Sequence, residues 1–175
     1  MSGALTLRAT RLLDWPGHAW VALPARLYLA AVFLLACWHK ILAPESFAVD
    51  IATYQILPLA LVNLMAIVLP WVELVAGVML VLAWRTRAAA LLVAGMLVMF
   101  TVAIVLALAE GLDLSCGCFA SQAAAGDDPI SGRTVARDLG WLALSVYVLL
   151  CDRDPLGLDR WLARRAAQRA PLREE

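Results

Sequence analysis

Residues 88–109 read AAALLVAGMLVMFTVAIVLALA, 22 positions without a charged side chain. At about 1.5 Å of rise per residue, a helix of that length crosses a hydrocarbon core of about 30 Å. Only a bilayer or a very large core accepts such a segment, and the rest of the chain decides between them. Of 175 residues, 63% are apolar and 16% charged, and the mean hydropathy is +0.82; soluble domains carry about 25% charged residues. The stretch is therefore read as one span of an integral membrane protein.

Three further spans follow outward from it. One runs from about 58 to 84, broken by Glu73 and containing Pro70; another from about 21 to 40, broken by Arg26; and a shorter one from about 135 to 151, opening on Arg137-Asp138. Proline inside a span is tolerated where neighbouring helices re-satisfy the freed carbonyl. The fold class expected is all-α: a four-helix integral membrane bundle, one domain over residues 1–175. The first span is expected to act as an uncleaved signal, because residues 1–20 carry no apolar run ending in a small-residue cleavage site.

Charge sets the expected orientation. Arg8 and Arg11 precede the first span, Arg85 and Arg87 follow the second, and six arginines lie between Arg153 and Arg173. Positive flanks mark the cytoplasmic side, so both termini and the tail over 152–175 are expected there. The connections 41–57 and 110–134 carry Glu45, Asp50, Glu110, Asp113, Asp127 and Asp128 and are expected to face outward. Within the first, Pro44 stands at a possible first helical position, and Phe47, Ile51 and Tyr54 recur at helical spacing, so a short interfacial helix is expected there. Leu158, Trp161 and Leu162 among arginines predict a C-terminal amphipathic helix on the membrane surface. The net charge of zero gives no basic field suited to nucleic acid.

The outward connection before the fourth span contains Cys116-Gly117-Cys118-Phe119. A dithiol closed across one residue would be strained, and strain makes a disulfide oxidising and suited to exchange; closing so short a loop would stabilise little. Three readings stand. The pair can exchange electrons; it can capture zinc, copper(I) or mercury(II) together with Cys37 and His39; or it can be two small loop residues without chemistry. His39, Lys40 and Arg137 are expected at the same depth, where positive charge would favour the thiolate. Cys37 is a candidate resolving thiol, and Cys151, near the opposite end, is expected to be inert. Arg26 and Glu73, each about 20 Å from the outer ends of their spans, are expected to form a structural ion pair, since lone charges at that depth are costly; the functional alternative is Glu73 as part of a proton path.

At these residues the chain resembles the MauE branch of the DoxX-like membrane proteins. The matching pieces are Arg26-Leu27, His39-Lys40 with Pro44 and Phe47, Tyr54 with Leu57-Pro58, Leu69-Pro70-Trp71 with Glu73-Leu74, and Cys116-Gly117-Cys118-Phe119 ahead of Arg137. Ala120 stands where the family motif continues with glycine. The resemblance implies a four-helix membrane bundle tied to thiol redox chemistry and to maturation of disulfide-containing partners outside the cytoplasm. On this reading the protein sits in a bacterial inner membrane and works as a thiol-disulfide oxidoreductase, with Cys116 and Cys118 catalytic and a thioredoxin-like protein as partner. A quinone near His39, Lys40 and Arg137 would be the membrane carrier, by analogy with other four-helix disulfide-generating enzymes. A soft-metal protein and a non-catalytic maturation scaffold are the alternatives.

Overall fold

The computed structural model describes residues 17–111 and 131–152, together with 157, 158, 161, 164 and 165. Its elements are α1 (His18–Leu42), α2 (Pro44–Thr53), α3 (Leu59–Leu82), α4 (Thr86–Ala109) and α5 (Gly132–Cys151). Four of them are long and apolar enough to cross a membrane, as expected, and α2 is the short helix predicted to start at Pro44.

Local chemistry explains most of the boundaries. The α1 ladder ends where the Ala43 N–H bonds the His39 carbonyl at 3.0 Å, and Pro44, with no N–H to lose, opens α2. Helix α5 begins at Gly132, ahead of the expected 135, because Ser131 and Thr134 form a reciprocal capping box. The tight α3–α4 turn passes through Ala83 and Arg85, both in the left-handed region at φ 49° and 47°.

The helices close into a ring in the order α1, α3, α4, α5. Helices α1 and α3 form one closely packed pair and α4 and α5 the other, with sparser α1–α5 and α3–α4 seams. Without a hydrophobic drive between helices inside lipid, close approach depends on small residues. Gly77 of α3 supplies one such place: a Cβ there would stand 2.9 Å from Leu34 and 3.5 Å from the Ala30 carbonyl of α1. On the other pair, the Ser145 hydroxyl donates to the Ala90 carbonyl at 2.8 Å.

The periphery is as apolar as the interior. Leu35, Ile67, Leu91 and Leu150 are 59–66% exposed, an arrangement stable only against hydrocarbon. Trp20, Trp84 and Trp161 are also exposed. The first two flank the end of the ring opposite α2, and Gly157 presses on Ala83 at that same end, so the aromatic residues mark an interfacial belt there. Leu158, Trp161, Arg164 and Arg165 are helical, in keeping with the helix expected in the tail.

Candidate functional site

Helical side chains lean toward the N-terminus of their own helix. Because α1 and α3 run antiparallel, Lys40 near the end of α1 and Glu73 in mid-α3 lean toward one another. They meet as an ion pair of 2.7 Å between Lys40 Nζ and Glu73 Oε1, with side-chain exposures of 4% and 1%. The ammonium also lies 4.9 Å from the centre of the Phe47 ring of α2 and 5.2 Å from that of Phe100 of α4, a cation–π setting for a charge removed from water. The second carboxylate oxygen of Glu73 is buried with no hydrogen-bond partner among the described residues.

This geometry replaces the expected Arg26–Glu73 pair. Gly77 packs on Ala30 and Leu34, so Glu73, one turn nearer α2, falls opposite the stretch between Leu34 and Lys40. Arg26 lies about 21 Å along α1 from Lys40 and leans away from Glu73. Its Nη1 bonds Asp152 Oδ2 at 3.1 Å, in a pair exposed by only 2% and 0%. The expectation failed because it took the ends of the spans to be flush, whereas the first turns of α3 run past the end of α1 and pack on α2.

Helix α5 contributes Asp138, 3% exposed. Arg137 holds its Oδ1 from Nε and Nη2, both at 3.3 Å, and stacks 4.8 Å from the Trp141 ring. Asp138, Lys40 and Glu73 line one small cavity with Phe33, Leu97 and Phe100. Sequence reading noted Asp138 as half of a charged pair and gave neither it nor Asp152 a role. The available signal was a carboxylate inside or at the edge of a span, a costly placement unless it has work or a partner.

The other expected site residues divide. Cys37 is buried on the inner face of α1 with its thiol donating to the Leu34 carbonyl at 3.2 Å, close enough to Glu73 and Lys40 to feel their charges. His39 is exposed, so it is not gathered with its neighbour Lys40. Cys151 is buried beside Asp152, at the opposite end, and both Cys37 and Cys151 are free thiols. Cys116 and Cys118 lie outside the described residues.

A larger cavity of about 320 Å³ adjoins the cluster between α2, α3 and α4. Its walls are Phe47, Ile51, Tyr54, Leu69, Met99 and Phe100 among other apolar side chains, with Asp50 as the one charged contributor among the described residues. Lys40 thus stands between an apolar cavity and the two buried carboxylates of Glu73 and Asp138.

The fold and the site define a multi-pass helical membrane protein with a charged cluster held at one end of its bundle. The sequence pattern of the family described as methylamine utilisation protein MauE matches residues 18–151, and the chain belongs to that family. It is similar to the methylamine utilization protein MauE of Paracoccus denitrificans, 30% identical over 124 residues, which is 70% of this chain and 65% of that relative. The chain thus spans just under two thirds of the relative's length. No solved structure matches it.

Proposed function

We propose that this chain is a thiol-disulfide oxidoreductase of a bacterial inner membrane, in which Cys116 and Cys118 exchange electrons between a thioredoxin-like partner outside the cytoplasm and a carrier in the membrane. The observation that carries the reading is a coincidence at one end of the bundle. Helix α4 finishes there and α5 starts there, so the connection bearing both cysteines springs from the end that holds Lys40, Glu73, Asp138 and the apolar cavity. Orientation is supported by the basic residues: Arg85, Arg87, Arg164 and Arg165 lie toward the opposite end or in the tail, against Arg133 and Arg137 in the first turns of α5 at the α2 end.

A quinone suits the cavity between α2, α3 and α4. Phe47, Phe100 and Met99 would hold an apolar ring, and the Lys40 ammonium behind the phenyl rings supplies a positive field; when bound, a quinone accepts two electrons and two protons. This site differs from the one expected beside His39 and Arg137, since His39 faces outward and Arg137 is taken up with Asp138 and Trp141. The exchange would serve maturation of disulfide-containing partners, and in the simplest case a methylamine-utilising system, as the name of the Paracoccus relative states for that protein.

Replacing Cys116 or Cys118 singly by serine should trap a mixed disulfide with the partner, and added quinone should oxidise the wild-type pair in membranes. Absence of any covalent adduct together with indifference to quinone would sink the reading. The soft-metal alternative has less support, because Cys37 faces the bundle and His39 does not; stoichiometric copper or zinc in the reduced protein would revive it. Normal partner assembly with both loop cysteines replaced would select the scaffold instead.

A further inference from the structure

The cavity shared by Lys40, Glu73 and Asp138 has a volume of about 30 Å³. A buried water needs about 10–15 Å³ and two to four polar partners, and the walls provide both. Glu73 Oε2 is an acceptor with no partner among the described residues, in a residue 1% exposed. Asp138 offers a second carboxylate, and Lys40 Nζ has three N–H donors, of which one is committed to Glu73 Oε1. The remaining lining consists of Val32, Phe33, Ala36, Leu97, Phe100 and Trp141, which cannot ionise.

We propose that Glu73 and Asp138 form a proton-binding site inside the membrane, bridged by one water and poised by Lys40, which carries protons through the α2 end of the bundle. A dry cavity would leave a buried carboxylate oxygen unsatisfied, and a water donating to it would meet that need. Among the described residues, the ionisable groups in or beside this cavity are Lys40 and the Cys37 thiol from α1, Glu73 from α3, and Asp138 with Arg137 from α5. Helices α2 and α4 present only the rings of Phe47 and Phe100 and the side chain of Leu97. Inside the cavity two carboxylates face the single ammonium of Lys40, with Arg137 at its edge and 35% exposed, so one added proton on either carboxylate brings the cavity itself to charge balance.

The role in relay rests on the thiol reading above. Oxidation of the dithiol breaks two S–H bonds, forms one S–S bond, and yields two electrons and two protons; a lipid-soluble acceptor of the quinone class takes up both pairs. Glu73 Oε2 receives and releases each proton in turn, and both carboxylates end as they began. The only groups lining the apolar cavity among the described residues that can exchange a proton are the Asp50 carboxylate and the Tyr54 hydroxyl, and the Glu73–Asp138 site adds a pair of buried carboxylates beside it.

Infrared spectroscopy of the protein in lipid nanodiscs tests the site without quinone or partner. Acidification should bring up a carboxylic-acid carbonyl band that shifts in D2O, is lost in Glu73→Gln and is displaced in Asp138→Asn. Absence of the band, or its persistence unchanged in both variants, overturns the proposal. For the relay, Glu73→Gln should slow quinone-driven dithiol oxidation about a hundredfold, with Glu73→Asp restoring part of the rate; an undiminished rate in folded Glu73→Gln overturns the relay. If quinone oxidises no dithiol even in the wild type, the thiol reading fails, and the proton site is decided by the infrared result alone. Where Glu73→Gln does not fold, Asp138→Asn carries both measurements, and a band and rate identical to wild type refute the proposal.

Discussion

Removing the ammonium of Lys40 as Lys40→Met keeps the length of the side chain and strands Glu73 in a site 1% exposed. The carboxylate then loses its 2.7 Å partner, while its other oxygen already has none among the described residues. Breaking a buried pair from one side costs about 3–5 kcal/mol, because an uncompensated charge remains. Glu73→Gln exposes the converse, a buried ammonium whose remaining neighbours are the Phe47 and Phe100 rings and Asp138; about 2–4 kcal/mol is expected. The double variant leaves no charge to strand. Its loss should fall short of the sum of the singles by about 2 kcal/mol or more, at the upper end of measured couplings between contacting residues. Unfolding in mixed micelles of rising denaturing-detergent fraction measures all four corners of the cycle. Since a protonated Glu73 needs no counter-ion, the Lys40→Met deficit should also narrow in acid. Singles that each cost under about 0.5 kcal/mol, or a double variant equal to their sum, would refute a buried Lys40–Glu73 pair.

The partner of Arg26 can be tested by exchange: Arg26→Asp with Asp152→Arg should recover most of the thermal stability that Arg26→Asp alone loses, about 2–3 kcal/mol. Arg26→Asp with Glu73→Arg should recover none, and the reverse ranking would restore the pairing read from sequence. Gly77→Val should cost about 1–3 kcal/mol, since its Cβ would meet Leu34 at 2.9 Å; Leu34→Ala added to it should raise the melting temperature again, and a deeper loss would refute the close approach. Gln55→Gly should stabilise by about 0.5 kcal/mol by calorimetry, because glycine relieves a left-handed φ of 54° at an exposed position, at some cost in unfolded-state entropy; a loss would refute strain at that turn.

The spans were legible because a bilayer demands long apolar runs, and the α2 start because Pro44 has few other helical positions open to it. The start of α5 was missed for a local reason: Ser131 and Thr134 cap the helix before its apolar character begins. The charged cluster was only half legible. Lys40 and Glu73 were both marked as unusual, but pairing them required the overshoot of α3 past α1 and the direction in which helical side chains lean. Adjacent residues point about 100° apart, so Lys40 can face inward while His39 faces outward, and nothing in the dipeptide says which residue does which. Asp138 needed the third dimension, since only the ring order brings α5 beside α1. Cys116 and Cys118 lie outside the described residues, and their reading rests on sequence and family resemblance.

The sparser seam between α3 and α4 leaves the larger cavity with Met99, Val102 and Leu106 in its wall, and these same side chains are 37–53% exposed on the lipid-facing surface. Its mouth therefore opens sideways into the acyl chains. A visiting molecule arrives by two-dimensional diffusion from a phase in which it is already concentrated, so occupancy follows its partition coefficient more than its aqueous concentration. Solubilising the protein replaces that reservoir with surfactant tails of comparable girth, which makes the choice of extraction agent itself a competition experiment at this site.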